Sequence, residues 1–268
     1  MRESSEISKP FLAAAIQLTS TSDEERNWQE ASHWIERAAD RGATFVATPE
    51  NTNYLGPHAE KVRRAEPLDG PTCQRFAELA RRRGIHLLLG SFNEKSENPS
   101  ETTRCFNTSV LFGPNGEILA TYRKIHLFDV DVPGGVTFSE SSTCLPGAET
   151  VVATTPFGRL GLSICYDLRF GELYRRLVDL GAELIAIPSA FTLATGKDHW
   201  EPLLRARAIE TQCYVIAPAQ HGRHDDQGLN ATWGHAMIVD PWGLPVATAS
   251  DGPGLALAEI DMAKVPKV

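Results

Sequence analysis

Residues 42–50 read GATFVATPE, and residues 181–189 read GAELIAIPS. Each stretch has glycine and alanine, then an apolar run of strand character, then a proline that ends it. Each also follows a segment with helical spacing. Before the first, Ser22-x-x-Glu25 reads as a capping box, with Trp28, Ala31, Ile35 and Ala38 on one face and Gly42 as the stop. Before the second, Glu172, Leu173, Arg176, Leu177 and Leu180 recur at the same period. One helix–strand unit used twice is the economical reading. Another helix and strand follow each copy: Thr72 to Arg83 with Ile85 to Leu89, and Trp200 to Glu210 with Tyr214 to Ala217. Phe11 to Gln17 reads as the first strand. Further strands are expected at Val110 to Phe112, Ile118 to Arg123, Ala236 to Val239, Val246 to Ala249 and Leu255 to Ile260, with Pro114-Asn115-Gly116 and Pro241-Trp242-Gly243 as hairpin turns. Many strands and few helices predict an α/β fold of two sheets flanked by helices. With no long linker, residues 1–268 read as a single domain.

The chain of 268 residues is 42% hydrophobic and 22% charged, an ordinary globular composition. It has no apolar run of the ~18–20 residues needed to span a bilayer, and its opening, MRESSEISKP, lacks the apolar core of a secretory signal. No membrane association and a cytoplasmic location are therefore expected. A net charge of −8 argues against a nucleic-acid partner, and Arg81-Arg82-Arg83 reads as the dipole-matched end of a helix. The five cysteines are odd in number, far apart in sequence and without C-x-x-C or zinc spacing. Reduced thiols and no metal are expected.

Residues 161–170, GLSICYDLRF, place Cys165 where an apolar run turns into a charged one. Leu160, Leu162 and Ile164 alternate with Gly161, Ser163 and Cys165, so a strand leads in with one face of small side chains and room beside it. A helix leads out, with Asp167 a candidate cap. A thiol beside a helix N-terminus ionises more readily, yet a free cysteine is commonly buried filler. A nucleophile needs a base, and none of the eight histidines has a self-evident position. Glu50, directly after Pro49, stands at a strand end, as does Lys124 after Ile118 to Arg123. The long loop from His126 to Gly147, with its Pro133-Gly134-Gly135, is expected to be functional.

Taken together, ATPEN around Glu50, YRKIHLFDVDVPGG around Lys124 and LSICYDLRF around Cys165 resemble the nitrilase superfamily of carbon–nitrogen hydrolases. HWEPLLRARAIETQCYVIAPAQHGRH and WGHAMIVDPWG carry the likeness to its Nit branch, and within it to the deaminated glutathione amidases. The resemblance implies a four-layer αββα sandwich with an internal pseudo-repeat, a homodimer or higher homo-oligomer and no cofactor; the sequence departs from its relatives at the end, where they continue past Val268 with a basic segment absent here. It also implies hydrolysis of a small-molecule amide through a thioester, with deaminated glutathione giving 2-oxoglutarate and cysteinylglycine. In that chemistry Glu50 is the general base and Cys165 the nucleophile, while Lys124 and the Tyr166 N–H stabilise the oxyanion. Glu140, in FSESST, helps to position the lysine and substrate.

The substrate-binding candidates are less distinctive. Arg169 could fork onto a substrate carboxylate or form a structural salt bridge. Tyr54, Phe128, Phe191 and Thr192 come from loops near the presumed site, and His199 with Trp200 opens a predicted helix. Alternatives are an ω-amidase on 2-oxo acid amides, an N-carbamoyl amidohydrolase, and an inert partner-binding protein on the same fold. The intact Glu50, Lys124 and Cys165 set speaks against the last of these.

Overall fold

A computed structural model describes residues 9–131, 137–224 and 231–267, so the Pro133-Gly134-Gly135 stretch lies outside the described residues. The first half of the chain runs β1 (Phe11–Leu18), α1 (Glu24–Asp40), β2 (Ala43–Ala47), α2 (His58–Lys61), α3 (Pro71–Arg83), β3 (His86–Lys95), β4 (Cys105–Phe112) and β5 (Ile118–Arg123). A connecting segment holds β6 (Asp129–Asp131), β7 (Thr137–Ser139), a 3-10 turn at Glu140–Ser142 and β8 (Cys144–Leu145). The second half opens with β9 (Val152–Thr155), β10 (Gly158–Leu162), a 3-10 turn at Cys165–Arg169, α4 (Gly171–Asp179) and β11 (Leu184–Ala186). It continues through α5 (Leu193–Thr211), β12 (Tyr214–Ala217), β13 (Ala219–Arg223), β14 (Ala231–Trp233), β15 (Met237–Val239), β16 (Pro245–Thr248) and β17 (Gly254–Ile260).

The repeated stretches occupy equivalent places in two sheets. In one, β2 lies between β1 and β3 and runs parallel to both. In the other, β11 lies between β10 and β12, again parallel to both. Each set of three parallel strands is linked through helices, α1 and α3 in the first and α4 and α5 in the second. The first sheet continues through the β4 and β5 hairpin, and the second through β15 and β16. Both hairpins turn at the glycine-containing stretches expected from sequence.

Burial alternates along the parallel strands and fills two interiors. Ala13 and Ala15 of β1, Phe45 and Ala47 of β2 and Leu88 of β3 join Leu160, Leu162, Leu184, Ala186 and Ile216 in a core between the sheets. The intervening Ala14, Ile16, Leu18, Val46, Leu87 and Leu89 meet Ala31, Ile35 and Ala38 of α1 and Phe76, Leu79 and Ala80 of α3. On the far side, Leu173, Tyr174 and Leu177 of α4 and Trp200, Leu204 and Ala208 of α5 cover the second sheet. Strands apolar on both faces are what a sheet covered on both sides requires. The result is the αββα sandwich.

Local details differ from the sequence reading. The cap of α1 is Asp23, whose carboxylate accepts from the Arg26 N–H, rather than Ser22. Helix α5 starts at Leu193, so His199 and Trp200 lie in its body; the unpatterned LATGKD opening is helical because Gly196 lets it pack under Trp233, where a Cβ would come within 2.3 Å of that residue's Cβ. The small face of β10 has no spare room, because Leu177 and Ala182 close over Gly161. Cys105 and Cys144, distant in sequence, are register partners across β4 and β8.

One close approach sets the turn after β2. Thr48 and Leu88 pair through a 2.9 Å N–H to carbonyl bond, the Gly90 N–H reaches Thr48 Oγ1 at 3.1 Å, and the Asn51 N–H reaches Ser91 Oγ at 2.8 Å. A Cβ on Gly90 would lie 1.9 Å from the Thr48 carbonyl oxygen and 2.4 Å from that of Pro49. Gly90→Ala is therefore expected to cost about 1–3 kcal/mol of stability by urea unfolding, the usual scale of overpacking. Gly254→Ala, with nothing within 4 Å of its Cβ, should stay within about 0.5 kcal/mol of the parent. Equal losses at the two positions would refute this account of the turn.

Candidate active site

Three strand ends of the two sheets converge on one buried polar cluster. Lys124 directly follows β5 and is 2% exposed. Its ammonium donates to Glu50 Oε1 at 2.8 Å and to Glu140 Oε2 at 2.9 Å. Glu50 sits in the turn after β2, and its other oxygen accepts the Ala190 N–H at 2.9 Å from the segment after β11. Glu140 opens the 3-10 turn at Glu140–Ser142, and its Oε2 also accepts the Phe128 N–H at 2.7 Å. The sequence analysis missed Asn107. Its Nδ2 donates to Glu50 Oε1 at 2.8 Å and to Glu140 Oε1 at 3.2 Å, and its carbonyl accepts the Lys124 N–H at 2.9 Å. The available signal was an asparagine at an inward position of the strand CFNTSVLF, where an apolar residue is the usual occupant.

The charges hold one another in place. Burial works against the Lys124 ammonium, but Glu140 and Glu50 outweigh it, and the group stays charged well above the usual lysine range. Burial likewise works against the Glu140 carboxylate, and Lys124, Lys61 and the Phe128 N–H overcome it and hold that carboxyl down to about 2. The interior cost of each charge is met by an opposite charge and by N–H donors.

Cys165 begins the 3-10 turn after β10, with a left-handed φ of 47° that a side chain rarely adopts. Its N–H donates to the Pro188 carbonyl at 3.0 Å, which ties the strained residue to the end of β11. The sequence reading of an easily ionised thiol is corrected here. Burial pushes the thiol well above its ordinary range and the Glu50 charge pushes it further, with Lys124 only partly opposing them. No α-helix starts at Cys165 to supply the expected dipole. Helix α4 begins six residues later at Gly171 with Phe170 as its N-cap, so Asp167 does not cap it either. Among the described residues, the Tyr166 N–H has no acceptor and is available to an incoming oxygen.

Phe128, Cys165, Tyr166, Arg169, Ala190, Phe191, Thr192 and Thr195 line a narrow cleft over the thiol. The Arg169 guanidinium lies 5.1 Å from the Phe191 ring centroid and 6.0 Å from that of Tyr166. No carboxylate among the described residues pairs with it, so the structural salt bridge left open by the sequence is not formed. Its neighbour is the exposed His199, 3.4 Å away through Nδ1. Tyr54 does not line the cleft. It is fully buried, donates to the Pro57 carbonyl at 3.1 Å and lies under Arg64. A larger hollow of about 610 Å³ between α4 and α5 is lined by none of Glu50, Lys124, Glu140 and Cys165.

Residues 12–268 match the carbon-nitrogen hydrolase family. The chain is 47% identical over 262 residues to the deaminated glutathione amidase of Synechocystis, covering 97% of this chain and 95% of that protein. It is 46% identical over 265 residues to the Bos taurus deaminated glutathione amidase (98% and 80%), and 40% identical over 260 residues to the human omega-amidase (96% and 91%). Among solved structures, the Caenorhabditis elegans NitFhit protein superposes with a TM-score of 0.91 at 42% identity, covering 97% of this chain and 63% of that longer fusion protein. Saccharomyces cerevisiae Nit3, a member of branch 10 of the nitrilase superfamily, gives 0.86 at 31% identity over 98% and 94%.

The depressed Glu140 carboxyl carries a pH signature. A carboxyl whose folded value lies below its unfolded one contributes stability above the unfolded value, and that contribution is lost as pH falls through the folded one. The Glu140–Lys124 contribution should thus be complete above pH ~5 and fade toward about 2. Glu140→Gln is expected to be less stable than the parent by about 2–4 kcal/mol at pH 7, with the gap between the two urea midpoints narrowing below pH ~4 and closing only as pH falls to about 2. A gap that stays constant across that range would show that Glu140 is not an ionised partner of Lys124.

Proposed function

The chain belongs to the carbon–nitrogen hydrolase family, and from that premise we propose that it is an amidase that cleaves deaminated glutathione to 2-oxoglutarate and cysteinylglycine. One observation carries the chemistry: a buried ammonium held between two carboxylates beside a strained cysteine. The substrate assignment is supported by 46–47% identity over nearly the whole chain to deaminated glutathione amidases. The 40% identity to an omega-amidase makes small 2-oxo acid amides the second reading.

The proposed steps follow from the charges. Glu50 takes the proton of the Cys165 thiol as the sulfur attacks the amide carbon. The oxyanion that forms is stabilised by the Lys124 ammonium and the Tyr166 N–H. Collapse breaks the carbon–nitrogen bond, Glu50 returns its proton to the departing amine, and a thioester remains on Cys165. Glu50 then deprotonates a water molecule that attacks the thioester, releasing the acid and restoring the thiol. Glu140 and Asn107 act by keeping Lys124 and Glu50 in register. Arg169 receives the carboxylate at the 2-oxo acid end, between the Phe128, Tyr166 and Phe191 rings.

We further propose a homodimer or larger homo-oligomer and a cytoplasmic location. The first is supported by Ile209, Trp242 and Leu244, which are exposed around the β15–β16 turn and the adjoining face of α5. The second is supported by the cysteine pattern of the sequence, five in number, far apart and without C-x-x-C spacing. No helix among the described residues is long and apolar enough to cross a membrane.

Release assays with deaminated glutathione, 2-oxoglutaramate and an N-carbamoyl amino acid should rank deaminated glutathione first by kcat/KM. Cys165→Ala is expected to lower turnover by on the order of 10³-fold or more, with the melting curve nearly unchanged. Arg169→Lys should lower kcat/KM about 10-fold or more for the 2-oxo acid amide but no more than about threefold for a neutral amide, since it keeps the charge and loses the two-pronged contact. Equal losses on both amides would remove Arg169 from substrate recognition.

A further inference from the structure

Asp167 is fully buried, and no lysine or arginine pairs with it among the described residues. Four donors meet its two oxygens instead. The Tyr122 hydroxyl and the Ile164 N–H donate to Oδ2 at 2.7 and 2.9 Å. The His126 N–H and His126 Nδ1 reach Oδ1 at 3.0 and 2.7 Å. A buried carboxylate is costly to hold, and an apolar residue would fill the same space without that cost. The donors come from two separate places in the sandwich. Tyr122 and His126 flank Lys124 at two residues on either side, Tyr122 near the end of β5 and His126 in the bend just beyond it. Ile164 directly precedes Cys165, and the Asp167 N–H returns to the Ile164 carbonyl at 3.0 Å, closing the turn that keeps Cys165 at its left-handed φ.

We propose that Asp167 is a positioning residue that clamps the Lys124 strand end to the Cys165 turn, fixing the distance between nucleophile and ammonium across the two sheets. Its carboxylate touches neither group and acts through Tyr122, His126 and the backbone of Ile164. The clamp is braced on its outer side, where the His126 ring stacks on Phe170 with centroids 3.7 Å apart and planes 8° apart. It is braced on its inner side by the Ile125 N–H, which donates to the Tyr122 hydroxyl at 3.3 Å. Burial, followed by the Asp167 charge, pushes the Tyr122 hydroxyl well above its usual range, so Tyr122 remains a donor at every working pH. A displacement of about 1 Å between a nucleophile and its partners costs on the order of 100-fold in rate, so a clamp that merely loosens should be visible in turnover.

The proposal rests on the amidase reading for its turnover assay but not for its second readout, alkylation of Cys165 by iodoacetamide, which needs no substrate. Asp167→Asn turns one acceptor into a donor facing N–H and O–H groups. It is expected to lower kcat about 100-fold with KM within about threefold, and to slow alkylation of Cys165 about 10-fold. Tyr122→Phe removes a single donor and should lower kcat about 10-fold, again with little change in KM. If Asp167→Asn does not fold, Tyr122→Phe decides. The clamp is overturned if the variants that fold keep kcat and the alkylation rate within twofold of the parent while melting earlier, because Asp167 would then only stabilise the fold. If the parent cleaves none of the amides offered, the amidase reading fails by itself, and the alkylation rates still decide the clamp.

Discussion

A buried lysine ammonium in contact with two glutamates leaves that contact group formally one negative charge in excess, with the buried Lys61 acting on Glu140 from beyond direct contact. That excess constrains everything around it. Glu50 and Glu140 cannot both be satisfied by Lys124, so the remaining oxygen capacity is met by donors brought from elsewhere: Asn107 from β4, the Ala190 N–H from beyond β11 and the Phe128 N–H from the segment after Lys124. No single element could supply these. They come from two sheets and from the segment that joins them, and they meet only because the duplicated units present their strand ends on the same side of the sandwich. The αββα architecture is the framework that makes one dense polar cluster affordable inside an apolar core.

The same excess decides the state of the thiol. An ionised Cys165 beside Glu50 would bring the dry cluster to two excess negative charges, which desolvation penalises steeply. Transfer of the thiol proton to Glu50 keeps the total at one, so the proposed first step redistributes charge without adding any. In the proposed mechanism Lys124 faces whichever anion is present: Glu50 at rest, at 2.8 Å, and the substrate oxyanion once Glu50 is protonated. The strained φ of Cys165 and the unengaged Tyr166 N–H fit a site whose geometry is settled before substrate arrives, which is where electrostatic stabilisation is most effective.

Much of this was legible in the sequence because it lay in local patterns. The repeated glycine, apolar strand and proline gave both halves of the sandwich, and the residues just past the strands gave Glu50, Lys124 and Cys165. What escaped was set by tertiary contact. Asn107 looks like an ordinary polar interruption in β4 until the fold places it between two carboxylates. Asp167 has the residue type and position of a helix cap, but it lies within the 3-10 turn that precedes α4, and three of its four donors come from Tyr122 and His126, more than forty residues away. Tyr54 follows the Glu50 turn closely in sequence, yet its hydroxyl is bound to Pro57 and its ring is covered by Arg64. The thiol was misjudged for a related reason: a helix N-terminus can be read from a sequence, whereas the dry environment and the carboxylate that override it cannot.

Charge also limits what the cleft can accept. Deaminated glutathione is a dicarboxylate, and it must bring one acid group toward a cluster that is already negative, in a chain of net charge −8. At a separation of about 7 Å and an effective dielectric of about 20, each such pair of unit charges repels by ~2 kcal/mol. A compensating cation must therefore stand in the cleft yet apart from the cluster, where it cannot be neutralised by Glu50 or Glu140. Arg169 meets both conditions, since it lines the cleft and no carboxylate of the described chain claims it. The Phe191 and Tyr166 rings beside it supply what a charged side chain needs when it has no counter-ion of its own, because a guanidinium near an aromatic face is held in place without being neutralised. The arrangement leaves the fork unpaired, as the proposed carboxylate contact requires, and the aromatic residues of this cleft cluster around Arg169 and not around Lys124.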